Sequence, residues 1–258
     1  MKRGIVIVFV VLQSAGVILG QGKFYSTDHY VGYSLGLAQA KEENLLPKVH
    51  SGVIHAVSYV LESKGASYHS LEFQLGYGRL ATEITNDVGS MNAQMLLGCS
   101  YGLKIQENGS STCYLGPRVA FTSSLSEYET WDEAHAYWGN FISLGASGVL
   151  FVALQPEKSL VMRADFSLFG ALTRPELHRL YANERWTFSN IMTIINRDYR
   201  LGTWDNALQV RVSTEYRTPL IGSSTLALSY SFYYSKLKAD AGNPLRQMTS
   251  RIGIGVGL

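Results

Sequence analysis

Leu208-Gln209-Val210-Arg211-Val212-Ser213-Thr214-Glu215-Tyr216-Arg217 changes chemical character at every step. Its even positions are apolar or β-branched and its odd positions carry amides, hydroxyls and charges. Strict alternation is the period of a strand with one apolar and one polar face, not the 3.6-residue period of a helix. The same period runs through Leu71-Glu72-Phe73-Gln74-Leu75-Gly76-Tyr77-Gly78 and through Met95-Leu97-Cys99-Tyr101-Leu103-Ile105 with its polar and small interleaving residues. It continues in Leu226-Leu228-Tyr230-Phe232-Tyr234 and in the final stretch Met248-Ser250-Ile252-Ile254-Val256-Leu258.

Followed along the chain, the alternation predicts about ten strands, near 27–38, 50–62, 67–80, 92–106, 111–122, 138–153, 159–171, 204–217, 223–235 and 246–258. Most are far longer than the soluble mode of about five or six residues, and longer than the roughly 9–11 that a tilted strand needs to cross a bilayer. The links between them also alternate. Those near 63–66, 107–110, 154–158 and 218–222 are tight, with Asn108-Gly109 a strong hairpin signal. Those near 39–49, 81–91, 123–137, 172–203 and 236–245 are longer and more polar. Short turns on one side and long loops on the other are the rhythm of an outer-membrane barrel. The expected fold is all-β, a closed up-and-down antiparallel transmembrane β-barrel of about ten strands; residues 187–197 as a further strand would make eleven, and twelve is the alternative if one more strand lies elsewhere.

The composition agrees. The chain has 258 residues, a formal net charge of +2, and only 16% charged residues, with 25 Gly and 16 Tyr. Low net charge argues against a nucleic-acid partner, and 46% hydrophobic content argues against disorder. The mean hydropathy of +0.02 is the average of a lipid face and a polar face. At the N-terminus, Lys2 and Arg3 precede a short apolar run, and Gly20-Gln21-Gly22 offers a small-x-small cleavage site. Residues 1–22 therefore read as a cleavable secretory signal peptide, leaving 23–258 as the barrel domain.

Charges belong on the inner wall, because Arg or Lys at the bilayer midplane costs about 2–4 kcal/mol. By parity the inward set includes Glu72, Gln74, Gln94, Lys104, Arg118, Arg163, Asp165, Arg211, Glu215 and Arg251. Glu72, Arg118, Arg163, Asp165, Arg211, Glu215 and Arg251 form the expected polar network of the lumen, as a salt-bridged plug or as a charged constriction. Tyr30, Tyr33, Tyr77, Tyr114, Trp138, Trp204 and Tyr230 to Tyr234 are candidates for interfacial aromatic girdles.

The link 123–137 is acidic and aromatic. The link 172–203 holds Arg174, Arg179, Arg185, Arg197 and Arg200, and Thr173-Arg174-Pro175-Glu176 predicts a short capped helix. The two links are expected to pair, with lipopolysaccharide phosphates as the competing partner for the basic one. Cys99 and Cys113 fall about six residues out of register, so both are expected reduced and facing lipid. The six His show no metal-ligand spacing. No His-x-Ser pair exists, and no catalytic residue, metal or cofactor is expected. The expectations for function are a structural or interaction barrel, a narrow channel for small solutes, or least of all a lipid- or peptide-hydrolysing enzyme.

Leu115-Gly116-Pro117, Leu144-Gly145-Ala146-Ser147-Gly148 and the alternating C-terminal stretch resemble the small outer-membrane β-barrel proteins of Bacteroidota, a domain of unknown function. The resemblance covers about residue 90 to the end. It implies the barrel fold, residence in the outer membrane, contact with outer-membrane lipid and lipopolysaccharide, and insertion by the assembly machinery, most simply as a monomer. It carries no activity. Many such barrels end in Phe, where this chain has Leu258.

Overall fold

The computed structural model describes residues 27–42, 48–82, 85–128, 135–174, 199–238 and 244–258. Their regular elements are all strands: β1 (Thr27–Glu42), β2 (Val49–Lys64), β3 (Ser67–Thr82), β4 (Thr85–Asn108), β5 (Ser111–Tyr128), β6 (His135–Gln155), β7 (Lys158–Thr173), β8 (Arg200–Thr203), β9 (Ala207–Pro219), β10 (Thr225–Leu237) and β11 (Leu245–Gly257). Each pairs antiparallel with its neighbours, and β1 pairs with β11 from Tyr30↔Gly257 to Glu42↔Leu245, which closes the sheet. No edge is left unpaired along the wall, as a spanning structure requires in a medium without water.

Eleven strands make ten staves. β7 pairs with β9 over Ser159–Phe166 and with β8 over Phe169–Leu172, so β8 and β9 share one stave. Asn206 joins them. Its Oδ1 accepts from Thr203 N (2.6 Å), its own N donates to Thr203 O (3.0 Å), and its Nδ2 donates to Leu201 O (3.2 Å). The sequence expects one strand over 204–217; the structure places a turn at 204–206 with strand on either side. The barrel has ten staves, not twelve. The predicted helix after Thr173, residues 187–197 and most of the two charged loops lie outside the described residues.

The tight hairpins fall where the sequence puts them, and Gly109 (φ 28°) and Gly222 (φ 71°) occupy left-handed positions that favour glycine. The opposite ends differ from expectation. β3 and β4 run to Thr82 and from Thr85, and β5 and β6 run to Tyr128 and from His135. The links read as 81–91 and 123–137 are thus largely strand. Polar residues there obscure the pattern, but backbone pairing continues wherever the neighbouring strand continues.

Parity sorts the side chains. Leu35, Leu37, Tyr77, Leu103, Leu115, Phe166, Leu228, Tyr230, Ile252 and Ile254 are exposed on the outer wall, which presents apolar surface to lipid. Glu72, Ser100, Arg118, Ser147, Arg163, Asp165 and Arg251 are buried in the lumen. Tyr33, Tyr77, Tyr230 and Trp204 lie outside, whereas Tyr30 and Tyr114 correct the girdle expectation: both are buried inward, on the parity of the lumen. Cys99 and Cys113 are free, opposite Val119 and Gln106. A bulge between Lys104 and Gln106 moves the second partner by one residue from the simple register.

Candidate functional site: an ion-pair network across the lumen

Two layers of charge cross the barrel. In the first, Arg211 on β9 grips Glu72 on β3 with both terminal nitrogens, Nη1 to Oε2 and Nη2 to Oε1, each at 2.5 Å. These strands are five staves apart in either direction around the ring, so this fork spans a full diameter. Arg118 on β5 reaches the same carboxylate (Nη2 to Oε2, 3.2 Å) and places Nη1 3.1 Å from Ser100 Oγ and 3.5 Å from Asp165 Oδ2. Ser147 Oγ donates to Asp165 Oδ1 at 2.6 Å. One Glu therefore ties together two Arg from distant staves. Bidentate guanidinium geometry explains why Arg rather than Lys fills these positions.

Gly98 makes room for this layer. A Cβ there would lie 2.4 Å from Arg118 Nη2, closer than atoms can approach. The glycines on the inner wall are thus not only filler between strands.

The second layer lies nearer the short turns. Glu62 at the end of β2 accepts from Arg217, lies 3.7 Å from Arg163 Nη2, and accepts from Tyr68 Oη at 3.3 Å. Arg163 in turn donates to Tyr68 Oη. Arg217 also bonds Glu215 through Nε, donates to Tyr30 Oη (3.0 Å), and stacks over the Tyr30 ring with its guanidinium carbon 4.2 Å from the centroid. Tyr68 packs against Tyr114 and Phe151. Here the aromatic rings seal the spaces between the charges.

The residues expected in the lumen network do not form one cluster. Glu72, Arg118, Asp165 and Arg211 form the first layer. Arg163, Glu215 and two residues the sequence reading left out, Glu62 and Arg217, form the second with Tyr30 and Tyr68. Arg217 shares the parity of Arg211 and Glu215, a signal available in the sequence. Glu62 is the last residue of the expected strand 50–62 and shares the inward parity of Ile54 and Ala56. Arg251 stands apart and bonds Gln74 Oε1 and Gln94 Oε1, each at 2.6 Å. Lys104 is at the turn-side mouth, paired with Glu107 at 3.1 Å.

Space remains on both sides of the first layer. A cavity of about 830 Å³, open solvent included, touches Glu72, Arg163, Glu215 and Arg217 on the turn side. Another of about 610 Å³, measured in the same way, touches Gln94, Tyr233, Gln247, Thr249 and Arg251 on the loop side. Gln74, Arg211 and Ser231 border both.

One arrangement on the outer wall also escaped the sequence reading. Ser67 and His69 share a face, with Oγ and Nε2 3.0 Å apart. Ser-x-His places the two side chains on one face of a strand just as His-x-Ser does. His69 Nδ1 makes no hydrogen bond and its ring meets Tyr101 edge-on at 5.1 Å. Among the described residues no carboxylate orients it as the third member of a nucleophilic triad would.

No family model matches the chain, and no curated protein matches it. Solved structures do. The outer membrane protease OmpT from Escherichia coli superposes with a TM-score of 0.50 at 5% identity, covering 92% of this chain and 98% of that one. The translocator domain of the autotransporter NalP from Neisseria meningitidis gives 0.46 at 10% identity, covering 96% and 94%. An outer membrane channel from Pseudomonas putida F1 gives 0.39 at 10% identity, covering 92% and 98%. The chain is thus an outer-membrane-type β-barrel in fold. The narrower resemblance to Bacteroidota proteins has no support in these neighbours. The expectation that the chain is no enzyme is also overturned. The solved barrel at TM-score 0.50 is a protease, so the architecture does not exclude hydrolysis.

Proposed function

We propose that the protein is a closed outer-membrane barrel that works at its outward-facing end, as a receptor or interaction barrel. One observation carries this reading: ion pairs run wall to wall across the lumen at Glu72–Arg211 and again at Glu62. A ten-stave barrel is close to the size that side chains fill, and open aqueous channels belong to about 16–18 strands. In this reading residues 1–22 direct export, and the assembly machinery inserts the barrel with its short turns on the periplasmic side.

The outer wall supports lipopolysaccharide as a lipid partner. Across β1, β11 and β10, Val31, Val256 and Leu226 stand side by side near the turns, and Lys41, Arg246 and Lys236 stand side by side near the loops. From Val31 to Lys41 is ~34 Å along the strand, or roughly 26 Å along the axis at a tilt of about 40°. That is about the height of the apolar band. In this reading the three cations sit at the level of outer-leaflet phosphates.

A narrow channel is the second reading, favoured by the two cavities that meet at Arg211. Liposome swelling separates the two. Purified protein that admits no small sugars supports the closed barrel. Uptake that changes with Arg211→Ala or Glu215→Ala supports the channel. Recovery of the protein from the soluble periplasm instead of the membrane overturns both.

A further inference from the structure

Among the described residues, the guanidinium groups of Arg118, Arg163, Arg211 and Arg217 lie against carboxylates in the lumen. Arg251 does not. Its two terminal nitrogens donate to the neutral amides of Gln74 and Gln94, and among the described residues no carboxylate lies within bridging distance. Those four Arg share Glu62, Glu72, Asp165 and Glu215, which leaves Arg251 without a carboxylate partner among the described residues.

Arg251 is buried, 7% exposed, and its Nε makes no hydrogen bond. Further along the same face of β11, Thr249 (1% exposed) leaves Oγ1 without a partner and Gln247 (5%) leaves Nε2 without one. All three residues line the 610 Å³ cavity on the loop side. A buried charge without a counter-charge is strongly unfavourable, as is a buried donor without an acceptor. Their convergence on one cavity calls for a ligand that brings negative charge and acceptor oxygens.

We propose that the loop-side cavity is a binding site for small organic carboxylates, with Arg251 as the counter-charge and Thr249 and Gln247 as further donors. The carboxylate would arrive from outside, because the Arg118–Glu72–Arg211 layer closes the cavity toward the periplasm. The site deepens the reading of a barrel that works at its outward end. Gly76 also belongs to its design: a Cβ there would meet Arg251 Nη2 and Gln94 Cβ at 3.6 Å each, so a larger side chain would fill the space beside the guanidinium.

The test is calorimetric titration of the detergent-solubilised full chain with acetate, succinate, citrate and gluconate, with succinamide as the uncharged counterpart of succinate. At least one carboxylate is expected to bind, and succinate at least tenfold more tightly than succinamide if succinate is the one. Arg251→Gln is expected to weaken the bound carboxylate at least tenfold while Arg251→Lys keeps most of the affinity. Gln247→Leu and Thr249→Val, milder changes should Arg251→Gln fail to fold, are each expected to weaken it severalfold. No binding by any of the four overturns the proposal, as does binding that these variants leave unchanged. Conductance is read on the same sample. Binding with an open current overturns only the closed lumen, and a closed lumen without binding overturns only the site.

Discussion

Glu72 receives three guanidinium nitrogens from two Arg on distant staves. Its substitution would leave both cations without the carboxylate they share. Breaking a buried pair by removing one partner typically costs about 3–5 kcal/mol. Glu72→Gln is therefore expected to destabilise the barrel by about that much, seen as a lower urea midpoint in the loss of heat-modifiable gel mobility. Glu62→Gln is expected to act likewise through Arg163 and Arg217, and a midpoint equal to wild type in both would show that the layers are not stabilising. Inward charges were legible from parity alone, because a two-residue period leaves each residue only two faces. Their grouping into layers was not. Glu72 and Arg211 are 139 residues apart, and the stagger of ten staves, which decides whom each side chain meets, is not a property of any one strand.

Among the elements, β6 shows how a local irregularity serves the wall. Its register shifts between Leu144 and Gly145 opposite β7, and a Cβ on Gly145 would lie 2.0 Å from Phe166 O. Backbone cannot yield there as a flexible side chain would. Gly145→Val is expected to abolish the folded, fast-migrating band after refolding into detergent, whereas Gly148→Ala, whose Cβ would meet only Leu115 Cδ1 at 3.8 Å, is expected to refold normally. Strand positions and hairpins were readable because alternation and Asn108-Gly109 are local signals. Bulges, the turn that divides β8 from β9, and the strand extensions toward Thr82 and Tyr128 were not. They depend on the length and pairing of the neighbouring strand, and the residues there are as polar as those of a loop.

On the scale of the molecule, the outer wall carries apolar rows topped by the cations Lys41, Arg246 and Lys236. If that row meets lipid phosphate, lipopolysaccharide raises the unfolding temperature of the wild-type barrel. The triple variant Lys41→Gln/Arg246→Gln/Lys236→Gln is expected to lose most of that rise without losing its fold in detergent alone. An equal rise in both proteins would remove phosphate recognition from the account.

The closed lumen is the central claim, and single-channel conductance in a planar bilayer tests it most directly. The wild-type barrel is predicted to pass no steady current. The triple variant Glu72→Ala/Arg118→Ala/Arg211→Ala, which removes the first layer together instead of stranding one charge, is predicted to pass stepwise current. Steady current through the wild-type protein, unchanged in that variant, would contradict the account.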